Sequence, residues 1–174
     1  MSDIRNPGAA WVTAADGNRY WGRFGAAGLL AHDPARGILL QHRVHWSDHG
    51  GTWGIPGGAR HEGEGAVDGA IRESHEEAGV PHAAILPRFT YLLDRGGWTY
   101  TTVIAAVGTP FEPRITDPES HALAWVPLHE VTAYPLHPGF AASWPLLSPL
   151  LSTDPEALGA AATALTASGA LARV

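Results

Sequence analysis

The chain has 174 residues, the usual size of one folded domain, and 45% of them are hydrophobic while 16% are charged. This composition excludes a disordered chain, and the formal charge of -6 argues against a groove for a nucleic acid polymer. The absence of cysteine excludes disulfides, a thiolate nucleophile and cysteine-ligated metal centres. Neither a secretion signal nor a membrane-spanning apolar run is visible, so we expect one cytoplasmic domain over residues 1–174 with no membrane partner.

The first third of the chain predicts a peripheral arm followed by two strands. Residues 1–23 show no hydrophobic period and are interpreted as an N-terminal arm that lies on the body. Residues 24–31 and 37–43 are apolar runs separated by a turn-rich link, which predicts a strand pair. Residues 44–51 predict a polar loop, and residues 53–56 predict an extended piece that leads into Gly57 and Gly58.

The middle of the chain predicts one helix and a β-hairpin. Residues 65–78 have helical periodicity, and Gly79 ends the helix as a left-handed cap would. Residues 85–93 and 98–107 predict antiparallel strands joined by the turn at 94–97, and residues 122–126 predict another strand.

The last part of the chain predicts helices. A helix is expected over residues 138–151 despite Pro145, and an alanine-rich helical tail over residues 154–174. Asp154 is the predicted N-cap of that tail, and Pro155 its first helical residue. Strands interrupted by helices predict an α/β domain layered around a mixed sheet.

The helix at 65–78 carries three carboxylates on one face. At about 100° per residue, Glu73, Glu76 and Glu77 fall within an arc of roughly 100°. Arg72 can neutralise one of them, most simply Glu76 at four residues, and a divalent cation such as Mg²⁺ would balance the others. The alternative is a solvated acidic helix face, because such strings are common on surface helices.

The residues before the helix extend the pattern. The chain reads Gly58, five residues, Glu64, seven residues, Arg72-Glu73, two residues, Glu76-Glu77, one residue, Gly79-Val80. This spacing resembles the Nudix box, and the lead-in from Trp53 extends the resemblance over residues 53–80. It implies a Nudix (MutT-like) hydrolase whose fold is an α/β/α sandwich around a mixed β-sheet.

One position departs from the box. Ser74 occupies a site where the family has a bulky apolar residue. The packed side of the helix wheel is predicted to consist of Val67, Ala70, Ile71, Ser74 and Ala78. We expect the Ser74 hydroxyl to donate to the carbonyl of Ala70.

The resemblance also implies roles for individual residues. Glu73 and Glu77 would be the principal metal ligands, and Glu76 would complete the site or polarise water. Glu64 would be an outer ligand reached through water, and the Gly57 carbonyl a backbone ligand. Arg72 would hold the glutamates in place. The implied cofactor is Mg²⁺, with Mn²⁺ as a substitute.

Further candidates lie outside the box. Glu119 is the best loop candidate for the catalytic base, against the alternative of a solvated loop acid. Arg43 could contact a phosphate or be an ordinary surface arginine. Tyr91, Trp98 and Trp46 could stack on a nucleobase, although most of the seven tryptophans are expected to be packing residues. The ten histidines show no metal-ligand spacing along the chain.

The implied activity is hydrolysis of the phosphoanhydride bond of a nucleoside diphosphate linked to another group. ADP-ribose-like and NADH-like dinucleotides and oxidised nucleoside triphosphates all remain open, because the markers of several Nudix subfamilies are absent. The cysteine-dependent isopentenyl-diphosphate isomerases, which share the fold, are excluded. The alternative function is a sensing domain that binds nucleotides or nucleotide sugars without cutting them. A small-molecule nucleotide is the expected partner, and the sequence leaves a homodimer open.

Overall fold

The computed structural model describes residues 8–174, so the first seven residues of the predicted arm lie outside the described part. Ten strands and three α-helices form within this range. The strands are β1 Trp11–Thr13, β2 Arg19–Trp21, β3 Ala26–Asp33, β4 Gly37–Arg43, β5 Trp53–Gly54, β6 Gly57–Ala59, β7 Ile85–Asp94, β8 Thr99–Val107, β9 Ser120–Val126 and β10 Leu171–Arg173. The helices are α1 Ala66–Ala78, α2 Pro138–Leu147 and α3 Pro155–Ala167, with short 3-10 segments at His82–Ala84, Leu128–Ala133 and Ser148–Leu151.

Eight of these strands form one mixed sheet. Six of them follow the order β10-β7-β8-β3-β4-β5, and β6 and β9 pair with β3 and β4 outside this order. Strands β3 and β8 run parallel, whereas the hairpin β7–β8 is antiparallel as predicted. The predicted pairing of β3 with β4 is confirmed only beside their connecting turn, at His32↔Ile38 and Asp33↔Gly37. Farther along, β3 pairs with β6 and β4 pairs with β9.

Helices cover both faces of the sheet. Side chains alternate along β3, so Leu29 packs towards α1 and Leu30 packs towards the opposite layer, which contains α2 and α3. Strands with both faces covered are apolar throughout, which explains the continuous apolar run at 26–31. The predicted α/β/α sandwich around a mixed sheet is confirmed.

The predicted packed side of α1 is correct for three of its five residues, whereas Val67 and Ile71 are only partly buried. Ser74, Ala70 and Ala78 are fully buried against the sheet. The hydroxyl of Ser74 donates to the carbonyl of Ile71 at 2.9 Å, one residue after the expected acceptor Ala70. Gly79 ends the helix with φ 63°, as predicted for a left-handed cap.

The segment predicted as an arm contains the hairpin β1–β2, which packs on the sheet through a small apolar cluster around Trp98. At the other end, Asp154 caps α3 by accepting from the Glu156 N–H at 3.0 Å, as predicted. Strand β10 was not predicted, and it pairs antiparallel with β7 at the edge of the sheet. None of the helices within residues 8–174 is long and apolar enough to cross a membrane.

The helix predicted at 138–151 is shorter in the structure. Helix α2 tolerates Pro145 but ends at Leu147, and residues 148–151 form a separate 3-10 turn. Pro149 lacks an N–H and so cannot continue the backbone hydrogen bonds of α2, although Ser148 before it keeps helical φ and ψ.

Candidate functional site

Two glutamates of α1 lie against strand β6. The backbone N–H of Gly57 donates to the Oε2 of Glu77 at 2.9 Å. A β-carbon at Gly58 would lie 2.7 Å from the carboxyl carbon of Glu73, so only glycine allows this approach. The Gly57-Gly58 pair therefore positions the two carboxylates predicted to be the principal metal ligands.

Arg72 connects the remaining acids of the box. Its Nε and Nη2 form a fork on the two carboxylate oxygens of Glu64, at 2.8 and 2.9 Å. Its Nη1 donates to Glu73 at 2.6 Å and to Glu76 at 3.2 Å. Spacing alone had favoured Glu76 as the main partner, but the buried Glu64 has that position because both of its oxygens fit the planar fork.

The position of Glu64 bears on its predicted role as an outer metal ligand. The side chain is 5% exposed, and its Oε2 also accepts from the backbone N–H of His61 at 2.9 Å. The hydrogen bonds from Arg72 hold the pKa of the Glu64 carboxyl at about 2, so the group stays ionised. This geometry favours Glu64 as the residue that fixes Arg72.

The two inner glutamates have the opposite electrostatics. Burial, followed by the charge of Glu73, raises the pKa of Glu77 to about 8. Burial also raises the pKa of Glu73, although the bond from Arg72 opposes this. Two neighbouring buried carboxylates repel each other when both are ionised. A bound cation would balance their charge and favour the ionised forms.

The loop between β8 and β9 adds two more acids. A carboxylate oxygen of Asp117 and one of Glu119 lie with one of Glu77 in a group whose members are all within 4.8 Å of one another. Asp117 was not predicted, although its place two residues before Glu119 in a polar stretch was a usable signal. Ser120 fixes Asp117 by donating its hydroxyl to Oδ1 at 2.9 Å.

This loop is held by the C-terminus of α1. The Arg114 N–H donates to the Ala78 carbonyl at 2.9 Å, and the Thr116 hydroxyl donates to the Glu76 carbonyl at 2.6 Å. The last carbonyls of a helix have no partners within it, so the loop supplies them. The same contacts bring Asp117 and Glu119 to the helix face that carries Glu77.

The donor set fits a hard divalent cation. It consists of carboxylate oxygens from two elements, and the buried Glu77 has only a backbone N–H as its hydrogen-bond donor among the described residues. Mg²⁺ and Mn²⁺ prefer such oxygen ligands. Glu73, Glu77, Asp117 and Glu119 are the residues that could hold the ion, beside the Gly57 backbone.

A cleft opens beside these acids. Its wide part has a volume of about 670 Å³ and is lined by Gly57, Gly58, Arg43 and Glu119 together with several aromatic side chains. An inner cavity of about 170 Å³ shares Arg43 and Gly57 with it and extends towards the β7–β8 turn. Arg43 lies where the two volumes meet, and its Nε donates to the Asp48 carbonyl at 2.9 Å. The cleft thus joins the acidic group to an aromatic surface.

The three aromatic candidates have different surroundings. Trp46 is 69% exposed and lines the wide cleft. Trp98 lines both volumes, but Tyr20 already stacks on it at a centroid distance of 4.3 Å. The prediction that Tyr91 stacks on a base is wrong, because its side chain is 7% exposed and packs in the core layer with Phe89 and Leu171. The hairpin residues that replace it in the cleft are Trp11, Tyr20 and Trp21.

Histidines also meet in the cleft, although their sequence spacing gave no indication of it. Ligand atoms of Asp48, His49 and His137 lie within 4.8 Å of one another. His137 caps α2 by accepting the Gly139 N–H at its Nδ1, 3.1 Å away, and burial lowers its pKa to about 4. In the neutral ring the other nitrogen then carries the proton, so His137 offers a donor to the cleft and no lone pair for a metal.

The fold and the acidic group are those of an α/β/α hydrolase of the pyrophosphohydrolase class, and the acidic group could hold a divalent metal. The family model described as NUDIX domain matches residues 22–147. The chain therefore belongs to the Nudix family, which confirms the family and the enzyme class predicted from residues 53–80.

Known proteins similar to this chain support the same assignment. A Mycobacterium tuberculosis protein with the provisional name 8-oxo-dGTP diphosphatase 3 is 45% identical over 164 residues, which are 88% of this chain and 75% of that protein. A nucleoside triphosphate pyrophosphatase/Nudix hydrolase fusion protein of Bifidobacterium longum is 41% identical over 153 residues, 83% of this chain but only 32% of the fusion.

Solved structures show the same architecture. The crystal structure of the Nudix hydrolase RenU from M. smegmatis is 45% identical, with a TM-score of 0.76 over 85% of this chain and 98% of that chain. A C. elegans Ap4A hydrolase is 20% identical, with a TM-score of 0.59 over 72% of this chain and 97% of that chain. At this lower identity the similarity shows the fold alone.

Proposed function

We propose that the protein hydrolyses a nucleoside triphosphate with an oxidised purine base, releasing a nucleoside monophosphate and pyrophosphate. The observation that carries this proposal is the group formed by Glu77, Asp117 and Glu119 at the edge of an aromatic-lined cleft. The cofactor would be Mg²⁺, with Mn²⁺ as a substitute. When bound, the ion would lower the pKa of a coordinated water and neutralise charge on the phosphates.

The residues of the chain divide into four roles. Glu73 and Glu77 would hold the ion, and Arg72 would keep Glu73 and Glu76 in position through its Nη1. Glu119, exposed at the cleft beside Glu77, would accept the proton of the attacking water. Arg43 would contact the phosphate chain, because it lies where the acids and the inner cavity meet.

Two considerations favour the triphosphate over the dinucleotide substrates. The relative that is 45% identical has a name that refers to 8-oxo-dGTP, and the match covers most of both chains. In addition, the cleft and its inner cavity share an aromatic pair, Tyr20 and Trp98, which suits a single stacked base.

A substrate screen tests the proposal. We expect 8-oxo-dGTP to give pyrophosphate with added Mg²⁺, at a kcat/KM above those of dGTP, ADP-ribose and NADH. Excess chelator should abolish turnover, and the rate should rise towards alkaline pH, where metal-bound water loses its proton more readily. Undiminished turnover in chelator would disprove the metal-dependent mechanism, and a preference for ADP-ribose or NADH would disprove the substrate class.

A further inference from the structure

The inner cavity runs along strand β8, away from the acids. Gly57 and Thr102 both flank Gly28 in the sheet, so they are level with each other. The β7–β8 turn lies beyond Thr99, three residues along the strand, which corresponds to about 10 Å. Gly57 and Arg95 both line the cavity, but Gly57 touches Glu77, whereas Arg95 lies at the far end, beside the β7–β8 turn. A nucleotide with its phosphates at Gly57 has room for its base near Arg95.

A fixed aromatic pair forms part of the cavity wall near Arg95. Tyr20 stacks on Trp98 with an interplanar angle of 13°. Each ring is held by its polar end, since the Tyr20 hydroxyl donates to Asp16 at 2.6 Å and the Trp98 Nε1 donates to the Trp21 carbonyl at 3.2 Å. A platform that is already ordered loses little entropy when a base binds.

Arg95 has one buried donor without an acceptor in the same wall, although its charge also acts on the nearby Asp16. Its Nε is buried and has no hydrogen-bond partner, and the side chain forms no ion pair within 4.0 Å among residues 8–174. Its backbone is fixed, because the Arg95 N–H donates to the Trp98 carbonyl at 2.9 Å. A buried donor without a partner is costly, so a ligand acceptor at this point would stabilise both groups.

We propose that Arg95 and the Tyr20–Trp98 pair form a subsite for a 6-oxopurine base, with the Arg95 guanidinium donating to the base carbonyl. This inference rests on the proposed function and specifies which purine base the substrate carries. Arginine is the side chain that most often reads the carbonyl edge of guanine. Adenine has an amino group at the same position, which cannot accept from Arg95. An 8-oxoguanine base keeps the 6-oxo group and satisfies the same contact.

Nucleoside binding tests the subsite without any turnover. Guanosine and adenosine are titrated into the metal-free protein in chelator, with tryptophan fluorescence and calorimetry as readouts. Wild type should bind guanosine more tightly, and Arg95→Ala should weaken guanosine about 10-fold or more while adenosine changes less than about 2-fold. Arg95→Lys keeps the charge but lacks the fork, so it should recover only part of the loss. Arg88→Ala, an exposed arginine on β7, is the matched control and should bind like wild type.

The outcomes separate this subsite from the proposed function. Undetectable guanosine binding by wild type, or an equal loss of guanosine and adenosine in Arg95→Ala, would overturn the subsite. A loss seen with triphosphates but not with nucleosides would assign Arg95 to a phosphate and would overturn it as well. Failure to hydrolyse any nucleotide, with the nucleoside preference intact and dependent on Arg95, would disprove only the proposed function. Thermal melts check that Arg95→Ala remains folded.

Discussion

At the scale of single residues, burial decides which partner a charge takes. Arg72 lies four residues before Glu76, and helix geometry alone would pair them. In the structure its fork instead contacts Glu64, whose side chain is almost fully buried, whereas Glu76 is 56% exposed. A charge-assisted fork is worth more where water is excluded, and an unpaired buried carboxylate would be costly. The sequence identified both residues but could not rank them, because burial is a property of the assembled fold.

The raised pKa of Glu77 predicts how the stability of the metal-free protein depends on pH. Its pKa is about 8 in the folded protein and near 4.5 in the unfolded chain, so the folded state holds a proton that the unfolded state releases. The stabilisation from this group is complete below about pH 4.5 and is lost as the pH rises towards 8. The free energy of unfolding should fall by up to about 1.4 kcal/mol per pH unit in that window.

Urea unfolding in chelator at pH 5, 6.5 and 8 measures this slope. Glu77→Gln cannot ionise, so it should be less sensitive to pH and more stable than wild type at pH 8. Glu62→Gln removes an exposed carboxylate outside the acidic group and serves as the control, with the slope of wild type. Equal slopes in wild type and Glu77→Gln would show that Glu77 is already ionised in the folded protein.

At the scale of elements, the packing of α1 on the sheet predicts the effect of placing a bulky apolar residue at position 74, as the Nudix box has it. Ser74 is fully buried among small side chains, so Ser74→Leu must force its neighbours apart. We expect a loss of about 1–3 kcal/mol in the free energy of unfolding. Ser74→Ala removes only the bond to Ile71 and should cost about 1 kcal/mol or less. Thermal melts measure the difference in stability. A leucine variant with the melting temperature of wild type would mean that the space around position 74 is larger than the structure indicates.

Elements with local signals could be predicted, and those with distant partners could not. The caps of α1 and α3, at Gly79 and Asp154, follow from the chemistry of one or two residues, and both predictions are confirmed. Strand β10 has only three residues and exists because Leu171 is buried beside β7. Its sequence has no period to recognise, so only the assembled sheet defines it.

At the scale of the whole molecule, the site combines one local motif with three distant segments. The glutamates of the box were predictable because they share a single helix face with the spacing of a known family. Asp117 comes from a loop docked on α1, and Tyr20 and Arg95 come from two different hairpins. Tertiary packing alone brings these together, which is why Tyr91 was predicted as a cleft residue and Tyr20 was not.

A bound metal would connect this assembly to global stability. Without it, burial raises the pKa of Glu73, so its ionisation opposes folding, and Glu73→Gln should melt at the same temperature as wild type or slightly higher. With Mg²⁺ at about 100 times its dissociation constant, wild type should gain about 2.7 kcal/mol, or roughly 5–10 °C in melting temperature. The variant should gain much less, because it lacks a charged ligand, and its turnover should fall at least about 100-fold.

Paired melts with and without Mg²⁺, together with an activity assay, test both halves of this expectation. Glu62→Gln is again the control, since an exposed carboxylate outside the acidic group should leave the Mg²⁺ shift and the turnover unchanged. A smaller shift in Glu73→Gln with normal turnover would separate metal binding from catalysis. An equal shift in wild type and Glu73→Gln, with turnover intact, would mean that the ion is held by other residues, and Asp117 and Glu119 would then be the first to replace.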